Sequence, residues 1–443
     1  MKNFPVIIVG SGICGLFSAL RLVERKISVC ILEASSSPGG RVCTTYQADT
    51  PIETGLDWIP TLPNDHRLTE YFHLLSPQKD DLIYTEICSD DMIFFKRDYH
   101  PLEDQLLDQV IFNIVSDIED IHQETDLFDE CLTLSEALGY VSSYASKEEN
   151  LKRSILYTLQ SPYSSGKIEK HLGSSEPNIE LGRNISKRGL SHIIRQIISH
   201  IRKLAKDNNT LFEIKYNQAV TKITTVSADH VNVVTNEHAY QCKRLLCTLS
   251  GDMIEAQTIQ FNPQLPKQVS KRIHQAKSAT IEKLLIYYNQ PITTDKKYIL
   301  IETDNPDKPD FYINYQSIYP QRPQCLAKVI THDQSINTQN INIINCLDSL
   351  ERCLDIPKSK CDREKTTIIR AKNDRWLQST FNYIDEAPGK RTNNAVGHPP
   401  LFFSNETFAS EFAGSVLAAV DAGIHVANRI SKSFHGGDNK KLA

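Results

Sequence analysis

The chain has 443 residues, of which 40% are hydrophobic and 23% charged, and its formal net charge is −5. Such a length exceeds one ordinary domain and predicts two. Because 49 basic and 54 acidic residues are mixed along the sequence, no basic stripe indicates nucleic-acid binding. The sequence has no apolar run near the ~20 residues that cross a bilayer, and no paired-histidine metal motif. Neither a membrane nor a metal ion is therefore expected as a partner.

The first 15 residues predict a dinucleotide-binding turn between a strand at 6–9 and a helix. Gly10 permits a sharp turn, Gly12 leaves room for a pyrophosphate, and Gly15 lets the helix pack closely on the sheet. The positive end of the helix, with a charge of roughly half a unit, favours the phosphates. The predicted cofactor contacts in this turn are Gly10, Ser11, Gly12, Ile13, Cys14 and Gly15.

An acidic residue marks the end of the second strand. Glu33 stands 18 residues after Gly15, where a carboxylate accepts hydrogen bonds from both ribose hydroxyls, and Ala34 follows it. A carboxylate at this point repels a 2′-phosphate. The pattern therefore disfavours NADP.

Two further motifs, at 38–42 and 53–59, carry a family resemblance. They resemble those of the flavin amine oxidase superfamily, which includes monoamine, polyamine and L-amino-acid oxidases and, more distantly, protoporphyrinogen oxidases and carotenoid desaturases. The resemblance implies that the dinucleotide is FAD. It is expected to be noncovalent, because Asn382 falls near the place where covalent relatives carry a cysteine. The implied contacts from the two motifs are Gly40, Arg41, Leu56, Asp57 and Trp58.

Three later segments extend the resemblance over most of the chain. They are 188–223, 246–266 and 401–423, similar to the family's return to the cofactor domain, its exit into the substrate domain and its closing strand and helix. The resemblance implies that Val220 borders the adenine. The closing segment contributes Glu406, Ser415 and Val416 to the cofactor site.

The order of these motifs predicts an α/β fold in which a Rossmann-like FAD-binding domain of the glutathione-reductase type is interrupted by an α+β substrate domain. The apolar residues of 102–121 recur at three- and four-residue steps and predict a helix in the first insertion. The predicted pieces are 1–61, 182–261 and 398–432 for the FAD-binding domain, 62–181 and 262–397 for the substrate domain, and 433–443 for a disordered tail.

Lys283 is the predicted catalytic residue. Strand alternation puts it on one face with Leu285 and Tyr287, and from spacing alone it is more typical of a solvated strand end. The resemblance instead implies a lysine that reaches flavin N5 through a water. Tyr383 is expected to supply one aromatic ring beside the flavin, whereas Ser415 stands where relatives carry a second ring.

The resemblance implies an oxidase that transfers a hydride from the α-carbon of an amine or amino acid to flavin N5. An imine forms, and O2 reoxidises the flavin with release of H2O2. Two alternatives stay open: a flavin desaturase or protoporphyrinogen-oxidase-like enzyme, and an FAD-binding partner protein without turnover. An arginine for a substrate carboxylate would have to come from elsewhere, such as Arg67 or Arg322.

The cysteine pattern bears on localisation. The 11 cysteines are scattered and lack CxxC spacing, which is typical of reduced thiols in a cytoplasmic protein. The expected partners are a small amine or amino-acid substrate and O2. A homodimer is left open.

Overall fold

The computed structural model describes residues 2–47, 49–62, 68–75, 81–123, 149–159, 181–256, 258–306, 308–320, 324–333, 343–370, 376, 381–384, 396–408 and 415–435. Strands β1 to β21 are, in order, Lys2–Val9, Val29–Leu32, Thr44–Gln47, Thr50–Glu53, Ile59–Pro60, Leu82–Glu86, Met92–Phe95, Gly182–Ser186, Phe212–Lys215, Val220–Ser227, His230–Thr235, Ala239–Cys247, Gln260–Asn262, Ala276–Tyr287, Tyr298–Ile301, Asp310–Asn314, Cys325–Asp333, Thr367–Arg370, Phe381–Ile384, Val396–His398 and Leu401–Phe403. Helices α1 to α10 are, in order, Ile13–Glu24, Thr69–Leu75, Asp104–Gln123, Glu149–Leu159, Leu190–Asp207, Gly251–Glu255, Lys267–Gln275, Tyr315–Ile318, Ile343–Leu354 and Val416–His435.

The larger sheet holds the N-terminal strand at its centre. Its order is β13-β10-β11-β12-β1-β2-β9, with β21 added on β12 and β20 on β21. Strand β1 pairs in parallel with both β2 and β12. Its alternate residues Val6 and Ile8 pack with α1, α5 and α10, whereas Ile7 and Val9 pack on the opposite side. Burial of both faces explains why residues 6–9 of this strand are all apolar.

The second sheet, of order β18-β14-β17-β16-β15-β7 with β19 on β14, is packed on both faces by helices. One face contacts α3 and α4, and the other contacts α9. In β14, Leu285 and Tyr287 face the α3 side, while Leu284 and Ile286 face α9, as strand alternation predicts. The predicted helix at 102–121 is confirmed as α3.

The strands of the larger sheet come mainly from the three pieces predicted for the FAD-binding domain, although β20 begins at Val396. The domain boundaries themselves stay a prediction. The predicted disordered tail is wrong for its first residues, because α10 continues to His435 and the Ser433 hydroxyl accepts a hydrogen bond from Arg244 Nε at 2.9 Å. Residues 436–443 lie outside the described part.

Candidate functional site

A long cavity opens where β1 and β2 end and α1 begins. It encloses about 1430 Å³ of empty space, its open mouth included. The predicted cofactor contacts among its lining residues are Gly10, Gly12, Ile13, Cys14, Glu33, Ala34, Gly40, Arg41, Leu56, Val220, Glu406, Ser415 and Val416.

Three glycines shape the turn at the start of the cavity. Gly10 has a φ of +101°, which an L side chain rarely adopts. Around Gly12 the nearest atom to an added Cβ would be Gly39 O at 3.9 Å, so its backbone is open to a ligand. Gly15 is different, because an added Cβ would lie 2.2 Å from Gly10 O. The turn thus leaves space for a ligand at Gly12 and brings α1 into close contact with the end of β1 at Gly15.

The N-terminus of α1 suits an anion. Its N-cap, Gly12, provides no side-chain hydrogen bond to the first turn. Cys14 lines the cavity, and burial raises the pKa of its thiol to about 12. The thiol is therefore neutral at physiological pH, so it adds no negative charge beside the helix end that would hold a pyrophosphate.

Glu33 is held in place by two serines. Its Oε2 accepts hydrogen bonds from Ser11 N at 2.8 Å and Ser11 Oγ at 2.6 Å, and its Oε1 accepts from Ser35 N and Ser35 Oγ, both at 2.9 Å. Ser11 is fully buried and is not among the lining residues. Its role in the structure is to orient the carboxylate, and the two serine hydroxyls can rotate away when ribose hydroxyls donate instead.

Replacement of Glu33 by alanine is expected to raise the FAD dissociation constant at least about tenfold, because charge-assisted hydrogen bonds worth about 1.5–3 kcal/mol are lost. Titration of the flavin-free protein with FAD, followed by flavin fluorescence, measures this. Ser35→Ala is the matched control, since it removes one neighbouring hydroxyl and keeps the carboxylate. Equal affinities for wild type and Glu33→Ala would contradict the ribose assignment.

Arg41 and Glu406 form an ion pair across the cavity wall. Arg41 Nη1 and Nη2 donate to the two carboxylate oxygens of Glu406. Burial alone would lower the pKa of the Arg41 guanidinium, but the charge and hydrogen bonds of Glu406 raise it above its usual value. Arg41 therefore stays charged, and Glu406 fixes where that charge lies.

The cavity lining also contains Trp376, the one aromatic side chain among the described lining residues. The sequence prediction had given the aromatic ring beside the flavin to Tyr383. Tyr383 lies in β19, opposite Lys277 of β14, and its side chain is outside the described part. Trp376 stands seven residues before Tyr383 in the sequence, and the ring beside the flavin stays a prediction.

Several lining residues were missed by the sequence prediction. Thr248 follows β12, and its hydroxyl donates to Val9 O at 2.8 Å, which joins the ends of two central strands. Asn405 Nδ2 donates to Leu249 O at 2.6 Å. Both lie in segments that had been matched to the family, but nothing in their residue types marks a cofactor contact. The missed lining residues include Gln218, Thr248, Leu249, Met253, Ile259, Trp376, Asn405 and Ala419.

Asp57, Trp58 and Lys283 are not among the lining residues of the cavity, and the cofactor contacts of Asp57 and Trp58 stay a prediction. Trp58 is buried, with the guanidinium carbon of Arg183 4.0 Å from its ring centroid. Asp57 Oδ2 lies 2.7 Å from Lys283 Nζ. Because buried polar groups need such partners, the side chains of Asp57 and Lys283 point towards each other. The flavin contact of Lys283 stays a prediction, while Arg67 and Arg322 lie outside the described part.

Comparison with known proteins extends these observations. The model of the family described as flavin containing amine oxidoreductase matches residues 13–431. The chain belongs to this family. Its cofactor is accordingly FAD, and it is a flavin-dependent oxidoreductase.

Similar proteins include a probable polyamine oxidase 4 of Arabidopsis thaliana, 25% identical over 59% of this chain and 53% of that protein. Polyamine oxidase 4 of Oryza sativa subsp. japonica is 20% identical over 96% of this chain and 88% of that protein. The aligned stretch thus spans about half of the first relative and most of the second. A triple mutant of putrescine oxidase has the same fold, with a TM-score of 0.72, 15% identity and coverage of 97% of this chain and 99% of that chain.

Among the helices that the structure describes, none is long and apolar enough to cross a membrane.

Proposed function

We propose that this protein is an FAD-dependent amine oxidase that moves a hydride from the α-carbon of an amine to flavin N5, giving an imine that water hydrolyses. When bound, FAD supplies the two-electron acceptor, and O2 reoxidises it with release of H2O2. The observation that carries this proposal is the cavity itself, which joins the glycine turn and Glu33 to the closing-motif residues Glu406 and Ser415 in one continuous wall. The cofactor is proposed to be held without a covalent bond.

The residues present fit the cofactor. Gly12 leaves open space at the start of α1, and Glu33 offers a fixed carboxylate near that turn. Arg41 presents a charge beside the expected pyrophosphate. Glu33 would hold the ribose and Gly12 the pyrophosphate, and Leu56 and Trp376, which also line the cavity, would contact the redox ring.

The wall near Trp376 would position the substrate rather than exchange protons with it. Leu56, Val416 and Trp376 are apolar groups that exclude water from the reacting carbon. Since hydride transfer needs a C–H bond held close to its acceptor, positioning supplies most of what the protein contributes. The amine must be neutral when it reacts.

A simple amine is favoured over an amino acid. A substrate carboxylate would need a cationic partner, and Arg41 is the one lysine or arginine among the described lining residues. Glu406 engages that guanidinium through two hydrogen bonds. The names of the polyamine and putrescine oxidases that resemble this chain point the same way.

The experiment is an anaerobic screen of the FAD-loaded protein against putrescine, spermidine, benzylamine and L-amino acids, followed by bleaching of the visible flavin band. Air is then admitted and peroxide is measured. We expect diamines or polyamines to bleach the flavin faster than amino acids do, with one peroxide per amine oxidised. Flavin that no amine reduces would refute the oxidase and favour the desaturase or the partner without turnover.

A further inference from the structure

The Lys283 side chain is almost completely enclosed by protein. It is 1% exposed, and Nζ lies 2.5 Å from Glu53 O, 2.9 Å from Gly55 O and 2.7 Å from Asp57 Oδ2. An ammonium carries three N–H donors. Each donor thus has a protein oxygen, and a water could bind Nζ only by displacing one of them.

Asp57 is equally well satisfied. It is 4% exposed, and its second oxygen, Oδ1, accepts a hydrogen bond from the Tyr315 hydroxyl at 3.1 Å. Burial, and then the charge of Asp57, hold the pKa of Tyr315 well above its usual value, so the phenol stays a donor. A buried ion pair costs little only when such further hydrogen bonds complete it, as they do here.

The pair joins two parts of the fold. Lys283 lies in β14 of the second sheet, whereas its three acceptors lie at the end of β4 and in the segment that follows it towards β5. Between two of those acceptors stands Leu56, which lines the cavity. A shift of Gly55 or Asp57 therefore moves the cavity wall.

We propose that Lys283 and Asp57 are positioning residues, which hold segment 55–57 and so set the shape of the cavity wall against which the flavin ring lies. The pair acts through this backbone, and Lys283 has no free N–H for the flavin. This inference rests on the cofactor and on the proposed placement of its ring, but not on the identity of the substrate.

The test compares wild type with Lys283→Met, Asp57→Asn and the double variant Lys283→Met/Asp57→Leu. Each single variant leaves one buried partner uncompensated, so we expect thermal midpoints lower by about 5–10 °C. We also expect FAD dissociation constants at least about tenfold higher and a changed shape of the visible flavin band. The double variant, in which two apolar side chains replace the pair, should recover most of the affinity, the band shape and the anaerobic rate of flavin reduction.

A second, partly buried lysine in the same sheet provides the control. Lys328 in β17 pairs with Asp310 at 2.7 Å and is not among the lining residues. Lys328→Met should therefore lower the thermal midpoint while FAD affinity and band shape stay at wild-type values. A purely structural effect of removing a paired lysine from this sheet would change FAD affinity in both lysine variants.

Three results would overturn the proposal. In the first, Lys283→Met binds FAD with wild-type affinity, but the flavin of both Lys283→Met and the double variant is reduced more slowly than that of wild type. Lys283 would then act in the reaction itself. The second is an Asp57→Asn protein with unchanged affinity and band shape. The third is a Lys328→Met protein that loses FAD as Lys283→Met does. Affinity and band shape need no substrate, so a protein that oxidises no amine would fail the proposed function and still leave this test valid.

Discussion

Replacing Gly15 by alanine should leave a protein that neither folds stably nor binds FAD. An added Cβ would lie 2.2 Å from Gly10 O and 3.3 Å from Thr248 Oγ1. The first contact is with backbone at the end of the central strand, which cannot move without disturbing β1 and its neighbours. Overpacking costs about 1–3 kcal/mol even where side chains can adjust, and here they cannot. We expect a thermal midpoint at least about 10 °C below wild type.

Gly12→Ala separates folding from binding in the same turn. Gly12 has φ −68°, which alanine adopts freely, and an added Cβ would meet nothing closer than 3.9 Å. The flavin-free variant should therefore unfold at the wild-type temperature, while its FAD affinity falls about a hundredfold or more because the methyl group occupies the place of the pyrophosphate. If Gly15→Ala were as stable as Gly12→Ala, the close contact of helix and strand would not be what requires glycine at 15.

The glycine turn was predictable because its geometry is local. Within 33 residues the sequence contains a strand, a turn, a helix and a second strand, and the positions of Gly10, Gly12 and Glu33 in that unit follow from the lengths of its parts. Hydrophobic periodicity likewise located α3 and the alternating faces of β14. Both predictions depend on residues close together in the chain.

The contacts of Lys283 were not predictable in the same way. The Asp57 carboxylate lies 226 positions earlier in the sequence, and nothing in either segment indicates that the two side chains meet. A resemblance transfers a residue's position in a strand, but the partner of a buried charge depends on which side chain the neighbouring segment supplies. Here that side chain is an aspartate. The same limit applies to Arg183 and Trp58, whose contact depends on how β8 packs beside β5.

Trp376 shows a different limit. Tyr383 was chosen by resemblance to the family's ring-bearing region, which also contains Trp376, although the spacing of Tyr383 is shorter than the family's. The structure places Trp376 at the cavity. Such a resemblance indicates which segment is near the site but not which of its residues lines it.

Glu53 should make the stability of the protein depend on pH. Burial raises the pKa of its carboxyl to about 8; the hydrogen bond from Leu190 N lowers it, the charge of Asp57 raises it further, and Lys283 and Thr44 lower it. The folded protein therefore keeps a proton that the unfolded chain releases above its ordinary pKa of 4.5. The stabilisation is complete below that value and is lost as pH rises towards 8.

Glu53→Gln should remove this dependence. The amide resembles the protonated carboxyl, since its oxygen can accept from Leu190 N, which lies 2.7 Å from Glu53 Oε1, and its NH2 can donate to Thr44 Oγ1. At about 1.36 kcal/mol per pH unit, the advantage of the variant over wild type should grow by about 4–5 kcal/mol between pH 4.5 and pH 8. Thermal midpoints of both proteins at pH 5, 6.5 and 8 measure it. The exposed Glu149→Gln variant is the control for the loss of one carboxylate. If the stability difference between Glu53→Gln and wild type stayed constant from pH 5 to pH 8, Glu53 would be ionised throughout this range. Lys283 would then compensate two carboxylates rather than one.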